Sequence, residues 1–244
     1  MSMTIHTLLL GLCVAALVGL TKTGVPGLGT LAVPLMATLF PAKLSVGALL
    51  PMLICGDIFG VAFYRQHAQW DKLWGLFPSL IVGMAGGTVV LSRIENPQLR
   101  PLLGSLVLGL VTLEVLRRRF HWENIPNQRW FVIFMGTLAG FATTLGNAAG
   151  SIMGIYLLSK GLPKNQFMGT RAWYFLIVNV IKVPLFASLD MITADTLRFD
   201  LSMVPMIAVS AFAGKMLLYR LTQGLFTWVV LLLAAVAAVR LIVG

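Results

Sequence analysis

Charge is scarce in this chain: Asp and Glu number 8 and Lys and Arg 18 in 244 residues, so 11% of positions are charged. A soluble domain carries roughly 25%. Hydrophobic residues make up 58% and mean hydropathy is +0.91. That balance argues against a water-soluble globule and for a chain that folds in lipid. Histidine is nearly absent too. His6, His67 and His121 fall in or near loops and no H-E-x-x-H occurs, which leaves a metal hydrolase unsupported. No G-x-x-x-x-G-K-[ST] is present, so the chain has no phosphate loop of its own. A Ser/Lys dyad of Ser151 or Ser188 with Lys182 has no spacing to recommend it, and neither an enzyme nor a cofactor is expected. The two cysteines, Cys13 and Cys55, lie inside apolar runs. They make no disulfide framework and no metal set, and read as small packing residues.

What is present is a series of apolar runs, at about 7–21, 27–40, 44–64, 73–92, 99–116, 130–145, 148–159, 168–189, 199–218 and 223–243. Most approach the ~20 residues that a spanning helix needs. The first has no Lys or Arg ahead of it and no small-residue cleavage pattern after it, so it is expected to be retained. The runs at 27–40 and 148–159 are short, and each follows a glycine-rich break: Lys22 to Thr30 in one case, Thr143 to Ser151 in the other. Each short run either forms a re-entrant hairpin with the run before it or crosses as a second span. Unwound backbone at membrane depth is tolerated only where it is buried in protein or lines a watery cavity, so paired breaks point to a transport site.

The net charge of +10 invites a nucleic-acid partner, and its distribution argues against one. Arg117, Arg118, Arg119 and Arg129 cluster in the one long polar connection, which reads as cytoplasmic. Alternating outward from it puts Arg65, Lys72, Lys160, Lys164, Lys215 and Arg220 on the same side. Lys43, Arg93, Arg100, Arg198 and Arg240 fall outside, together with an acidic connection carrying Asp190, Asp195 and Asp200. Glu114 sits one turn before the arginine triplet and is placed to pair with it. Trp70, Trp74, Trp122, Trp130 and Tyr64 read as interfacial anchors.

The chain also repeats itself at a shift of about 121–127 residues. Gly19 corresponds to Gly140, Gly29 to Gly150, Pro41 to Pro163, Gly47 to Gly169, Pro78 to Pro205 and Gly87 to Gly214. Residues 1–118 form the first repeat, 119–129 the connecting loop and 130–244 the second, within one transmembrane domain. Each half has an odd number of spans under either treatment of the break, so the halves are expected to be inverted and both termini to face outside. The fold class is therefore an all-α polytopic membrane protein with two inverted-topology repeats, each a glycine-broken segment followed by three spanning helices.

The breaks and three unusual side chains carry the candidate chemistry. Free amides at the start of a half-helix, with its dipole, favour an anion. The donors would be the amides of Gly27 to Thr30, Gly29 among them, from the first half and of Asn147 to Ser151, Gly150 among them, from the second, with hydroxyls from Thr23, Thr30, Thr144 and Ser151. The alternative is that small residues simply let helices approach. Lys182 lies deep in the run 168–189, where an ammonium facing lipid costs roughly 2.5–3.5 kcal/mol. It must face a cavity or a partner. Asn179 lies on its face, and Pro184 is expected to bend the helix beside it. Asp57 is the first-half counterpart of Asn179. Either Lys182 binds an anion while Asp57 carries a coupling proton, or the two form an ion pair, permanent or broken by substrate. Lys22 and Arg171 read as a positive entrance or second anion contact, with snorkelling as the alternative.

The segments GVPGLGTLAVPLM at 24–36 and TTLGNAAGSIMGIYLLSKGLPKNQFMGTRAW at 143–173, with the matched glycines and prolines, resemble the sulfite exporter TauE/SafE family of bacterial membrane transporters. The resemblance covers nearly the whole chain. It implies a secondary carrier in the bacterial cytoplasmic (inner) membrane, moving sulfite or small organosulfonates, with thiosulfate and related anions within the family's range. By position it touches Gly24, Gly27, Gly29, Gly146 and Gly150. Val25, Pro26 and Leu28, and Asn147, Ala148 and Ala149, stand where the family has a fuller run of glycines. The expected partners are a small anion, the bilayer, and a coupling proton ahead of sodium. A small carboxylate and a non-transporting role in membrane assembly are the alternatives.

Overall fold

The computed structural model describes residues 5–25, 28–120 and 128–220, with isolated helical positions at 232, 235, 236, 239, 242 and 243. Side chains at 30, 113, 114, 117, 118, 151, 158, 159 and 219 lie outside that description, as do Gly27, Trp122 and most of the run at 223–243. The expectations for Gly27, for the hydroxyls of Thr30 and Ser151, and for the Glu114 pairing therefore fall outside the described residues.

All regular structure among the described residues is helical. In chain order the helices are α1 (Ile5–Thr23), α2 (Gly29–Leu39), α3 (Ala42–Tyr64), α4 (Asp71–Trp74), α5 (Phe77–Arg93), α6 (Asn96–Arg119), α7 (Arg129–Gly146), α8 (Gly150–Ser159), α9 (Lys164–Ser188) and α10 (Ala194–Arg220). Four are long and apolar enough to cross a bilayer by length and composition: α1, α3, α9 and α10. Helix α5 is apolar and shorter.

Proline and glycine set the boundaries. Pro41 and Pro163 sit in extended backbone immediately before α3 and α9, where the absent N–H costs nothing. Gly161 takes φ +64 just after α8. Helix α6 opens with a capping box between Glu95 and Gln98. Pro184 lies within α9, which continues to Ser188. Both glycine breaks interrupt helix as expected, leaving α2 with 11 residues and α8 with 10. At 1.5 Å per residue these are about half a bilayer long. The first break folds back on itself: the Gly29 amide donates to the Thr21 hydroxyl at 3.1 Å, so α2 begins beside the last turn of α1. The second ends α7 at Asn147, whose φ of 53 and ψ of 28 place it in the left-handed region.

Small residues bring the helices together across the two halves. A Cβ at Gly19 of α1 would stand 2.6 Å from the carbonyl oxygen of Ile207 in α10, and one at Gly140 of α7 would stand 2.1 Å from that of Leu80 in α5. Gly214 of α10 meets Leu20 and Thr23, and Gly87 of α5 meets Phe141 and Thr144. Each second contact lies 121 positions from the first on one partner and 127 on the other. Gly47, near the start of α3, meets Met191 just beyond α9, while Gly169, near the start of α9, meets Tyr64 at the end of α3. Helices α3 and α9 therefore run antiparallel. The core is built around these crossings, with Val18, Leu49, Phe186 and Ile207 in one cluster and Leu80, Met153, Tyr174 and Val178 in another.

One loop expectation is corrected. Asp200, grouped with the acidic outside connection, lies in α10, is 4% exposed, and neither carboxylate oxygen has a hydrogen-bond partner. It shares the buried face of α10 with Thr196 and Met203, at helical spacing.

Candidate functional site

Helix α9 supplies one wall of the site. Arg171, Phe175, Asn179, Lys182 and Phe186 recur at intervals of three and four, which puts them on one face, and all five are buried. That face meets α1, α3 and α7 together.

Asp57 of α3 is fully buried and doubly engaged. Its Oδ1 lies 2.7 Å from Lys22 Nζ, and its Oδ2 accepts from Asn179 Nδ2 at 2.6 Å. Asp57 and Asn179, 122 positions apart, thus bond directly to each other. Lys22, which sequence placed at an entrance, is 7% exposed. Its stem passes over Gly56, where its Cγ would be 2.9 Å from an added Cβ, and its ammonium stands 4.3 Å from the Phe175 ring centroid. The absent side chain at Gly56 is what lets Lys22, on the last turn of α1, reach Asp57.

Lys182 goes elsewhere. Its Nζ donates to the Thr143 carbonyl at 3.2 Å, the Thr143 hydroxyl at 3.0 Å and Asn147 Oδ1 at 2.5 Å. These acceptors lie at the C-terminus of α7, where the negative end of the helix dipole favours a cation. Of the two arrangements the sequence left open for Lys182 and Asp57, the direct ion pair is not formed, and Asp57 pairs with Lys22 instead. Asn147 in turn donates to the Val46 carbonyl at 2.8 Å, fastening the second break to α3.

Arg171 closes the end of α1 in the same way: Nη1 donates to the Thr21 carbonyl at 2.7 Å. Its Cζ lies 5.3 Å from the Phe175 centroid, and Nη2 stands 3.9 Å from where a Cβ on Gly150 would be. Its Nε has no acceptor, although the residue is 4% exposed.

Other sequence candidates serve packing. The Thr23 hydroxyl donates to the carbonyls of Gly19 and Ala211 at 3.0 and 2.7 Å, and that of Thr144 to Gly140 at 2.9 Å. A hydroxyl in an apolar helix takes the carbonyl four residues back, so neither adds a free donor. Gly24 is pressed against the Gly214 backbone and Gly146 against Leu103, while the Gly29 amide is already capped by Thr21. The structure therefore brings the buried Lys22, Asp57, Asn179, Lys182 and Arg171 and the half-buried Asn147 and Gly150 into one seam, and leaves Thr23, Gly24, Thr144 and Gly146 at helix crossings.

Sequence reasoning missed Thr21, Thr143 and Phe175. Phe175 was findable, midway between Arg171 and Asn179 at spacing four. Thr21 and Thr143 act through contacts that only the folded breaks create.

Asn147 offers a test that separates backbone from side chain. Replacement by Gly keeps the left-handed conformation and removes both the charge-assisted bond from Lys182, at about 1.5–3 kcal/mol, and the bond to the Val46 carbonyl, at about 0.5–1.5 kcal/mol. Asn147→Val should lose roughly 1–2 kcal/mol more, because a branched side chain is strained there. Thermal unfolding of the purified variants checks the order; equal losses would place the cost elsewhere.

Residues 8–241 match the family described as Sulfite exporter TauE/SafE. The chain is 30% identical over 219 residues to the Probable membrane transporter protein YjnA of Bacillus subtilis (strain 168), covering 80% of this chain and 85% of that protein. No solved structure gives a significant match. These relatives are membrane transporters rather than enzymes, and the chain, with its apolar helices and glycine-broken halves, belongs to the sulfite exporter TauE/SafE family.

Proposed function

We propose that this chain is a secondary transporter of a small sulfur-containing oxyanion, sulfite or a small organosulfonate, and that it exports this anion by alternating access. The observation that carries the reading is the charge of the seam. Lys22, Arg171 and Lys182 are buried along one seam in which the single carboxylate, Asp57, pairs with Lys22. An excess of buried cations calls for an anion to compensate it. The family supports a sulfur oxyanion as that anion.

Two inverted repeats, 1–118 and 130–244, supply the moving parts. The antiparallel α3 and α9 and the exchanged glycine contacts support this relation, as does the direct Asp57–Asn179 bond at the repeat shift. We place the protein in the bacterial cytoplasmic membrane with the Arg117–Arg129 connection inside and both termini outside, following the basic residues. An interior-negative potential then favours anion exit by about 2.3 kcal/mol per charge per 100 mV. Asp57 is the coupling group: proton uptake there frees Lys22 for the incoming anion, in keeping with proton rather than sodium coupling.

Counterflow of labelled sulfite into proteoliposomes tests the function. The parent should exchange sulfite and be inhibited by small sulfonates, and Lys182→Ala, which unfastens α7 and removes one cation, should lose at least tenfold in rate while remaining monodisperse. Exchange of small carboxylates in place of sulfur anions would overturn the substrate, and parental rates in Lys182→Ala would overturn the site.

A further inference from the structure

The two glycine breaks are not equivalent in their polar contacts. At the first, α2 is capped from within the chain, since the Gly29 amide donates to the Thr21 hydroxyl. At the shift that relates Gly19 to Gly140, the position matching Thr21 is Ala142, which has no hydroxyl. Helix α8 therefore lacks the equivalent cap. Met153 donates to the Ala149 carbonyl, so the amides of Gly150, Ser151 and Ile152 precede the first helical hydrogen bond and have no helical acceptor.

What faces this end instead is a cation. Arg171 Nη2 approaches to 3.9 Å from the Cβ position of Gly150, and Nε on the same edge of the guanidinium has no acceptor. A guanidinium against the positive end of a helix dipole is unfavourable unless an anion lies between them. The first half offers no such arrangement, because the position matching Arg171 at the shift of Asp57 to Asn179 is Leu49.

We propose that the N-terminus of α8 and the Nε–Nη2 edge of Arg171 form a subsite for the anion, present in the second half alone, binding an oxyanion with at least two oxygens on a single centre. One oxygen takes the guanidinium edge and another the free amides of α8. The subsite rests on the transporter reading above and narrows it. Asymmetry between the breaks means one anion per transporter rather than one per half. It also explains the division of labour: Nη1 is fixed by the Thr21 carbonyl, which orients the fork and leaves its other edge for substrate. A guanidinium edge matches a planar or pyramidal pair of oxygens in a way that an ammonium does not.

The test uses the full-length protein in detergent with sulfite as probe and chloride as control at fixed ionic strength. Sulfite should raise the unfolding temperature of the parent. In Arg171→Gln and in Arg171→Lys, sulfite affinity should fall about 10- to 100-fold, the range expected for losing one or two charge-assisted hydrogen bonds. Parental affinity in either variant overturns the subsite and leaves the transporter reading standing if the parent still exchanges sulfite. Should both variants fail to fold, hydrogen exchange on the parent decides: sulfite is expected to slow the amides of residues 150–152 and not those of 29–31, and equal or absent protection overturns the proposal. A parent that neither binds nor exchanges any oxyanion overturns both readings.

Discussion

Replacing Lys22 with Met is expected to lower the free energy of unfolding by about 3–5 kcal/mol, the cost of leaving a buried carboxylate without its partner. The pair is well isolated from water: the Lys22 and Asp57 side chains are 6% and 0% exposed, and their charged atoms are 2.7 Å apart. With Lys22 gone, Asp57 keeps the Asn179 amide at 2.6 Å, a neutral donor that compensates only part of a full charge. Removing both charges, in Lys22→Met with Asp57→Leu, should restore part of the stability, because an apolar pair of similar volume avoids the desolvation cost of the charges, while the buried Asn179 amide loses its acceptor at about 1–3 kcal/mol. Transport should not return in that double variant, since both the coupling carboxylate and one seam cation are missing. Thermal unfolding and sulfite counterflow on the same preparations separate the two effects. A double variant that transports would remove Asp57 and Lys22 from the mechanism and leave them as packing.

The architecture was largely legible in the sequence because membrane helices announce themselves by uninterrupted apolar length, and nine of the ten runs match described helices. The breaks were legible for the same reason in reverse: glycine-rich stretches at Lys22–Thr30 and Thr143–Ser151 contradict their surroundings. Deep polar residues were legible too, since Lys182 and Asp57 have no apolar explanation. Partnership was not. Whether Asp57 meets Lys22 or Lys182 depends on Gly56 opening a path for one stem and on α7 ending where the other can reach its carbonyls. Neither fact is written in local composition. The threonines were read too generously for the same reason: Thr23 and Thr144 read as hydroxyls near a break, yet each turns its oxygen back to the helix four residues earlier. Asp200 was assigned to a loop because three aspartates lie close together, and the helix begins at Ala194, before two of them.

Gly19→Val and Gly140→Val are each expected to prevent stable assembly, at a cost above the roughly 1–3 kcal/mol of ordinary overpacking. Backbone obstructs both, joined at Gly19 by the Ser210 hydroxyl 2.0 Å away. At Gly19 an added Cβ meets the Ile207 carbonyl oxygen at 2.6 Å and the Ala211 nitrogen at 2.7 Å, and at Gly140 it meets the Leu80 carbonyl oxygen at 2.1 Å and the Met84 nitrogen at 2.8 Å. Backbone of a packed helix cannot rotate aside as a side chain can, so the helices must separate along α1 and α10 in one variant and along α5 and α7 in the other. Gly109→Ala is the control, because nothing lies within 4 Å of a Cβ there. It sits inside α6, and losing a helical glycine should add stability of up to about 1 kcal/mol. Yield of monodisperse protein and unfolding temperature read all three. If the halves are inverted repeats, the two valine variants should fail alike, since each breaks the same crossing seen from opposite sides; a severe defect in one with tolerance in the other would mean that the matched glycines are coincidental.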